Sequence, residues 1–292
     1  MTRILVVDDS RTVCALFARV LSERYEVRTA VSGEEAVEVL GAWPCDLALV
    51  DINLPGIDGF ETVARARALH PGIRTALITA YDVDKYITLA LEKDVSNIIV
   101  KSSPFDAGEL MREVDNLVNV ERLFGLAHYL DPGAGITTTR VRSTDDVAEL
   151  RVTCLEFFKR SAPESDLSGL AVVFEEAISN AIYHAHGYEK LTQVTLQPDQ
   201  VVEVSYGCDA KMAGFAVSDH TGRLTKQTVL KKIIRASGEE SIYDEDGRGF
   251  FVSRAMSDRL VINIQPGVRT EIIALKFFAV DAVNRPLTIN QL

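Results

Sequence analysis

The chain has 292 residues, 47% hydrophobic and 25% charged, with a formal net charge of -11. This apolar content excludes a disordered chain, and the length leaves room for two packed cores. The acidic balance argues against a nucleic-acid face, which needs concentrated Lys and Arg; with no run of about 18 apolar residues and with carboxylates directly after the first apolar run, a cytoplasmic protein without a membrane segment is expected.

Ile4–Val7 is a short apolar run followed by Asp8 and Asp9 and then a helical pattern from about Arg11. The unit recurs at 27–30 with 33–40, 47–50 with 60–69, 75–78 with 83–93, and 98–100 with 106–123. Five aliphatic runs alternating with five helical ones predict an α/β domain, a doubly wound five-stranded parallel sheet covered on both faces. Ligands of such sheets sit at the carboxyl ends of the strands. The residues at those ends are Asp8 and Asp9, then Asp51, Thr79 and Lys101. Crowded carboxylates call for a hard cation, and oxygen ligands of this kind suit Mg²⁺ with waters and a phosphate. A lysine charge and a threonine hydroxyl can hold phosphoryl oxygens, so the set reads as a phosphoryl-transfer site with an aspartate nucleophile.

The segments VVDDS, LVDINLPGIDGFE, TAY and IIVK carry a resemblance over residues 1 to about 122 to the response-regulator receiver domain, a flavodoxin-like fold. The resemblance implies that Asp51 is the phosphoacceptor, that Asp8 and Asp9 hold Mg²⁺ beside Asp51 with the backbone carbonyl of Asn53, and that Thr79 and Lys101 assist. It also implies a sensor histidine kinase as phosphodonor. Two positions depart from the family: Ile98 stands where an aromatic residue is usual, and Ser102, with Pro104 later, stands where proline follows the lysine. Neither does chemistry, so phosphorylation should survive while the route of output is in question.

Helical periodicity runs from Phe105 to about Leu126 and gives way to the turn-rich Tyr129–Gly135. The expected division is a receiver at 1–124, a linker at 125–136 and a second domain at 137–292. Beyond the linker the pattern predicts a strand at 138–141, a helix at 144–159 opened by Ser143 or Thr144, an apolar helix at 167–185, and strands at 201–206, 214–218, 259–264 and 270–277. This half reads as an α+β sandwich.

Within VFEEAISNAIYHA, Glu176, Asn180 and His184 fall at i, i+4 and i+8 on one helix face. Alone, such a stripe reads as a solvated face. Together with VSDHTG (217–222), DGRGFFVSR (246–254) and GVRTEI (267–272), it resembles the ATP-binding domain shared by histidine kinases, gyrase and the anti-sigma-factor serine kinases. By that resemblance Asn180 holds the magnesium of ATP, Asp219 accepts from the adenine amino group, and Thr270 lies behind the base. His184 stands at the pocket edge, and Gly222, Gly247, Arg248 and Gly249 flank a lid over about 225–246. The first glycine box departs from the family, with Gly222 alone and displaced by one position.

A histidine kinase needs a helical hairpin before its ATP domain, and the stretch from Leu126 to Thr137 has no room for one; His128 is an ordinary residue on this reading. The resemblance lies closest to the anti-sigma-factor kinases, with Glu176 as general base and an antagonist protein or a sigma factor as partner. Two readings stay open: a response regulator controlling a serine/threonine kinase, or a receiver joined to a degenerate domain that sequesters a partner without turnover. Cys14, Cys45, Cys154 and Cys208 lack metal-site spacing and read as small buried hydrophobes.

Overall fold

The computed structural model describes residues 1–79, 86, 89, 92, 93, 95, 97–101, 105–119, 122–163, 167–236, 248–278 and 287–291. The chain divides into two compact units, Met1–Leu123 and Phe124–Leu292.

In the first unit β1 (Arg3–Val7), β2 (Glu26–Ala30), β3 (Leu47–Asp51), β4 (Arg74–Thr79) and β5 (Ile98–Val100) form a parallel sheet in the order β2-β1-β3-β4-β5. Helices α1 (Arg11–Leu21), α2 (Gly33–Ala42), α3 (Gly59–Leu69) and α4 (Ala107–Val118) are each opened by a side chain, Ser10, Ser32, Asp58 or Asp106, that accepts the backbone N–H three residues on. This satisfies one orphan donor of each first turn. Ile4, Val6, Leu47, Leu49 and Ile78 meet Phe17, Leu21, Leu110 and Val114 in one core. The strand order reverses beside β1, which opens a crevice between the carboxyl ends of β1 and β3. The start of α3 closes on that crevice: a Cβ on Gly59 would fall 2.2 Å from the Asp51 carbonyl oxygen.

Of the helix predicted over 83–93, only Tyr86, Leu89, Glu92 and Lys93 are described; Ser102 and Pro104 lie outside the described residues. The last helix of this unit ends at Val118, short of the expected extension, because the Arg74 guanidinium donates to the carbonyls of Leu117 and Val118 at 2.5 and 2.6 Å. Charge at a helix carboxyl end both satisfies those carbonyls and favours termination.

The second unit contains β6 (Gly135–Val141), α5 (Thr144–Ser161), α6 (Ser168–Ser179), β7 (Val202–Cys208), β8 (Met212–Asp219), α7 (Lys226–Ala236), α8 (Arg248–Met256), β9 (Arg259–Gln265), β10 (Arg269–Phe277) and β11 (Leu287–Gln291). The strands lie in the order β11-β9-β10-β8-β7-β6, antiparallel except for β11 on β9. The helix predicted over 167–185 is present, but it passes through a π turn at Asn180–His184.

One face of this sheet packs on the helices. The opposite face carries Met212, Ala216, Val261, Ile273 and Leu275, and these are covered by Leu126, Tyr129 and Leu130. The stretch expected as a linker is therefore part of a core. It is also tied by hydrogen bonds: the Gly125 N–H donates to Glu271 at 2.8 Å, and the Asn263 amide donates to the Tyr129 hydroxyl at 3.1 Å. Its turn residues allow the chain to bend, as Gly125 at φ 102° does, while the apolar residues between them anchor it. Cys14, Cys45 and Cys154 are buried free thiols, and Cys208 is half-buried. Among the described residues no helix is long and apolar enough to cross a membrane.

Candidate functional site

Strand β1 pairs with β3 in the register Val7 to Val50, so Asp8 and Asp51 emerge side by side where both strands end. The Lys101 ammonium donates to Asp8 Oδ2 and Asp51 Oδ1, each at 2.6 Å. The remaining oxygens accept backbone N–H groups, Asp8 Oδ1 from Ser10 at 3.0 Å and Asp51 Oδ2 from Asn53 at 2.9 Å. Both carboxylates are buried, Asp8 being 2% and Asp51 5% exposed. Burial alone would push the Lys101 pKa down, but its bonds to Asp51 and Asp8 outweigh that and leave it raised. Thr79 is fully buried at the end of β4, and its carbonyl accepts the Lys101 N–H at 2.7 Å. Sheet register thus assembles Asp8, Asp51, Thr79 and Lys101.

Asp9 is exposed and lines a neighbouring cavity of about 480 Å³ with Asn53, Asp58 and Tyr86. The Asn53 amide donates to the Tyr86 hydroxyl at 3.1 Å. Among the described residues no three His, Cys, Asp or Glu side chains form a group able to hold a metal on their own. Mg²⁺ binds through one or two carboxylates and retains several waters, so Asp8, Asp51 and the Asn53 carbonyl match its preferences without a third convergent carboxylate.

In the second unit Thr270 pairs with Asp219 across β10 and β8. These two, with Asn180, His184, Arg223 and Lys232, line a cavity of about 190 Å³. Asp219 is buried, and its Oδ1 accepts both the Thr221 N–H at 2.9 Å and the Thr221 hydroxyl at 2.5 Å. Among the described residues the Thr270 hydroxyl oxygen is buried without a hydrogen-bond partner, as is Nε2 of nearby His186, whose pKa burial holds down against the attraction of Asp219. A buried orphan hydroxyl beside a carboxylate fits the edge of a purine base, which offers both donor and acceptor. The volume is below that of whole-ligand sites, so the described walls have room for only part of a ligand of nucleotide size.

The Asn180 amide donates to Glu176 Oε1 at 3.2 Å, as the four-residue spacing requires. Glu176, however, lines a different groove of about 630 Å³, between α5, α6 and α8, together with Arg151, Val172, Leu191 and Gly249. Gly249 leaves the carboxylate its room, since a Cβ there would lie 1.7 Å from Glu176 Oε1. Glu175 lines the same groove, where it pairs with Arg151 at 3.1 Å. The groove's lip carries Leu191, 96% exposed and at φ 64°, a conformation that costs a leucine strain.

Gly222, the glycine that follows Asp219, faces the β9–β10 turn. At φ 57° it is seated on the β9–β10 turn, where a Cβ would fall 2.2 Å from the Gln265 carbonyl, and its own carbonyl accepts the Gly267 N–H at 3.0 Å. Gly247 lies outside the described residues, as does the Arg248 side chain; the lid expected over 225–246 contains α7 and then leaves them. Sequence reasoning missed Thr221, Arg223, Lys232 and His186. An Asp-x-Thr turn signal was available for Thr221, but nothing local marks a lysine on a charged helix as facing a cavity.

The family model of the response regulator receiver domain matches residues 4–115, and that of the histidine kinase-like ATPase domain matches residues 142–276. Sporulation initiation phosphotransferase F of Bacillus subtilis is 30% identical over 110 residues, 37% of this chain and 86% of that protein. The transcriptional regulatory protein TcrA of Mycobacterium tuberculosis is 35% identical over 109 residues, and the match spans only 42% of its length and 37% of this chain. Among solved structures, the response regulator TrrA of Thermotoga maritima, in complex with Mg(2+)-BeF, is 36% identical with a TM-score of 0.36, covering 40% of this chain and 99% of that one. A CheY-like receiver domain protein of Methanospirillum hungatei is 27% identical with a TM-score of 0.39, covering 43% and 99%.

Proposed function

We propose a mechanism that starts from what the chain is: it belongs to the response regulator receiver family and carries, after its receiver, a histidine kinase-like ATPase domain. As a response regulator it is phosphorylated on an aspartate, with a histidine kinase as phosphodonor.

Asp51 is the acceptor in this proposal. Its Oδ1 attacks the phosphorus of the phosphohistidine, and the imidazole leaves as the O–P bond forms. Lys101, already spanning Asp8 and Asp51, shifts onto the transferred phosphoryl group, and the Thr79 hydroxyl donates to another of its oxygens. Asp8, Asp51 and the Asn53 carbonyl would hold Mg²⁺, which would supply positive charge against the phosphoryl oxygens, and Asp9, exposed beside them, is not needed as a direct ligand.

The second domain acts as an ATP-dependent kinase for serine or threonine on a partner of the anti-sigma-factor antagonist type. The observation that carries this reading is the position of Glu176. It bonds to Asn180 of the nucleotide cavity yet opens into a separate groove, so an acceptor hydroxyl can reach the base without displacing the nucleotide. Glu176 takes the hydroxyl proton, the oxygen attacks the γ-phosphorus, and ADP leaves. Asp219 and Thr270 orient the base, and Asn180 would carry the nucleotide's magnesium.

The seating of Gly222 on the β9–β10 turn favours a second reading, a domain that sequesters a sigma factor or antagonist without turnover. Incubating the full chain with Mg²⁺, γ-labelled ATP and a candidate antagonist separates the two. Transfer that disappears in Glu176→Ala while ATP binding persists is expected for the kinase; ATP binding without transfer to any candidate would leave the sequestering role. For the receiver, labelling by acetyl phosphate should vanish in Asp51→Asn, and label that persists would sink the assignment.

A further inference from the structure

We infer that Lys232 is the residue that selects a triphosphate in the second domain, doing with a side-chain charge what a glycine-lined loop does with backbone N–H groups; this rests on the nucleotide reading above. The loop after Asp219 is fixed: Gly222 packs its α-carbon on the β9–β10 turn, within 2.7 Å of Gln265, Val268 and Gly267 backbone atoms for any added Cβ. The loop's Thr221 and Arg223 N–H groups are already donated within it, to Asp219 and to the Thr221 hydroxyl at 2.9 and 3.4 Å, which leaves few amides for an anion. The negative charge of a nucleotide must then be met elsewhere in the cavity.

Two cations line that cavity, Arg223 and Lys232, against the single carboxylate Asp219. In a chain of net charge -11 this is a local reversal of sign among the described residues. The two cations stand at different ends. A Cβ on Gly187 would be 3.8 Å from Arg223 Nη1, which places that guanidinium beyond the carboxyl end of the helix bearing Asn180, where the helix dipole already attracts a cation.

Lys232 comes from α7, and its Nζ is 6.0 Å from the ring centroid of Phe250. Phe250 is buried in the first turn of α8, next to Gly249, which abuts Glu176. Lys232 thus shares one cavity with Asn180, the partner of Glu176, and lies against α8, the helix that carries Gly249; a terminal phosphate placed for transfer to the adjoining groove belongs on this side. The amino end of α8 adds the favourable end of its dipole at the same place.

The test is equilibrium binding of MgATP, MgADP and AMP to the full chain by calorimetry. Lys232→Met should weaken MgATP roughly tenfold, as expected for loss of a charge-assisted contact, with MgADP changed by no more than about threefold and AMP unchanged. Retained AMP binding shows that the cavity is folded. Lys232→Arg should keep the preference for ATP, and Lys231→Met, at the exposed neighbour with the same change of net charge, should leave all three affinities as they are. An unchanged ATP preference in Lys232→Met, or equal losses for ATP and ADP, overturns the inference and leaves the nucleotide reading intact. Failure of the unaltered chain to bind any of the three overturns both.

Discussion

Lys101→Met tests the electrostatics of the phosphorylation site independently of any phosphodonor. The ammonium is the shared partner of two carboxylates that are 2% and 5% exposed, each bond being 2.6 Å long. Its removal leaves two buried like charges side by side. Breaking a buried pair by deleting one partner costs about 3–5 kcal/mol, a large part of the roughly 5–15 kcal/mol that holds a domain folded. With a urea slope of about 2 kcal/mol/M, the midpoint should fall by roughly 1.5–2.5 M.

The assay is selective, because Trp43 is the single tryptophan of the chain and is buried in the first unit, its indole N–H donating to Glu26 at 3.2 Å. Its fluorescence reports unfolding of that unit alone. Adding Asp51→Asn to Lys101→Met should recover part of the loss by removing one of the two charges. A midpoint shift below about 0.5 M, corresponding to about 1 kcal/mol at that slope, or no recovery in the double variant, would refute the reasoning. The raised Lys101 pKa gives a further sign: its stabilisation is fully present below the unfolded value of 10.5 and is lost as pH rises through the higher folded value.

Three other outcomes are expected. Burial raises the Glu271 pKa above 4.5 despite Arg269, the Gly125 N–H and Asn263, so the folded state holds this proton longer than the unfolded chain. Stability should therefore fall as pH rises from 4.5 through the folded value, and Glu271→Gln should gain on the unaltered protein over that window in thermal melts followed by circular dichroism; parallel pH curves would count against it. Gly249→Ala should leave the melting temperature equal or higher, since alanine favours helix by up to about 1 kcal/mol, yet displace the Glu176 carboxylate and abolish phosphotransfer; full activity would show the base to be elsewhere. Gly222→Ala, at φ 57° and with its Cβ 2.2 Å from a backbone oxygen, should destabilise the second unit by about 2 kcal/mol or more with the Trp43 transition unmoved. A tolerated alanine there would mean the turn yields easily.

The parallel sheet and its site were legible from the chain alone, and the reason is geometric. In a parallel sheet every strand ends at the same edge, so Asp8, Asp51, Thr79 and Lys101, each directly after an aliphatic run, had to converge whatever the loops did. The Glu176–Asn180 contact was legible for a similar reason, since a four-residue step within one helix sets neighbours before any tertiary packing. Capping residues such as Ser10 and Asp58 marked helix starts on local chemistry.

What depended on distant segments was not legible. Tyr129 and Leu130 sit among turn residues, and only the bare back of a sheet more than 80 residues away makes them core. The end of the helix at Val118 was decided by Arg74 from another strand. Gly222 carried a motif's identity, but its seat on the β9–β10 turn follows from where that hairpin lies. Lys232 reads as a solvated charge on an amphipathic helix, and it becomes a cavity residue only because α7 packs on α8 beside Phe250. The sequence by itself determined the elements and the residues at their ends, through periodicity and strand direction. Tertiary structure alone decided which of the remaining charges line a cavity and which glycines are packed against other backbone, because that depends on packing between elements whose order along the chain does not specify their mutual placement.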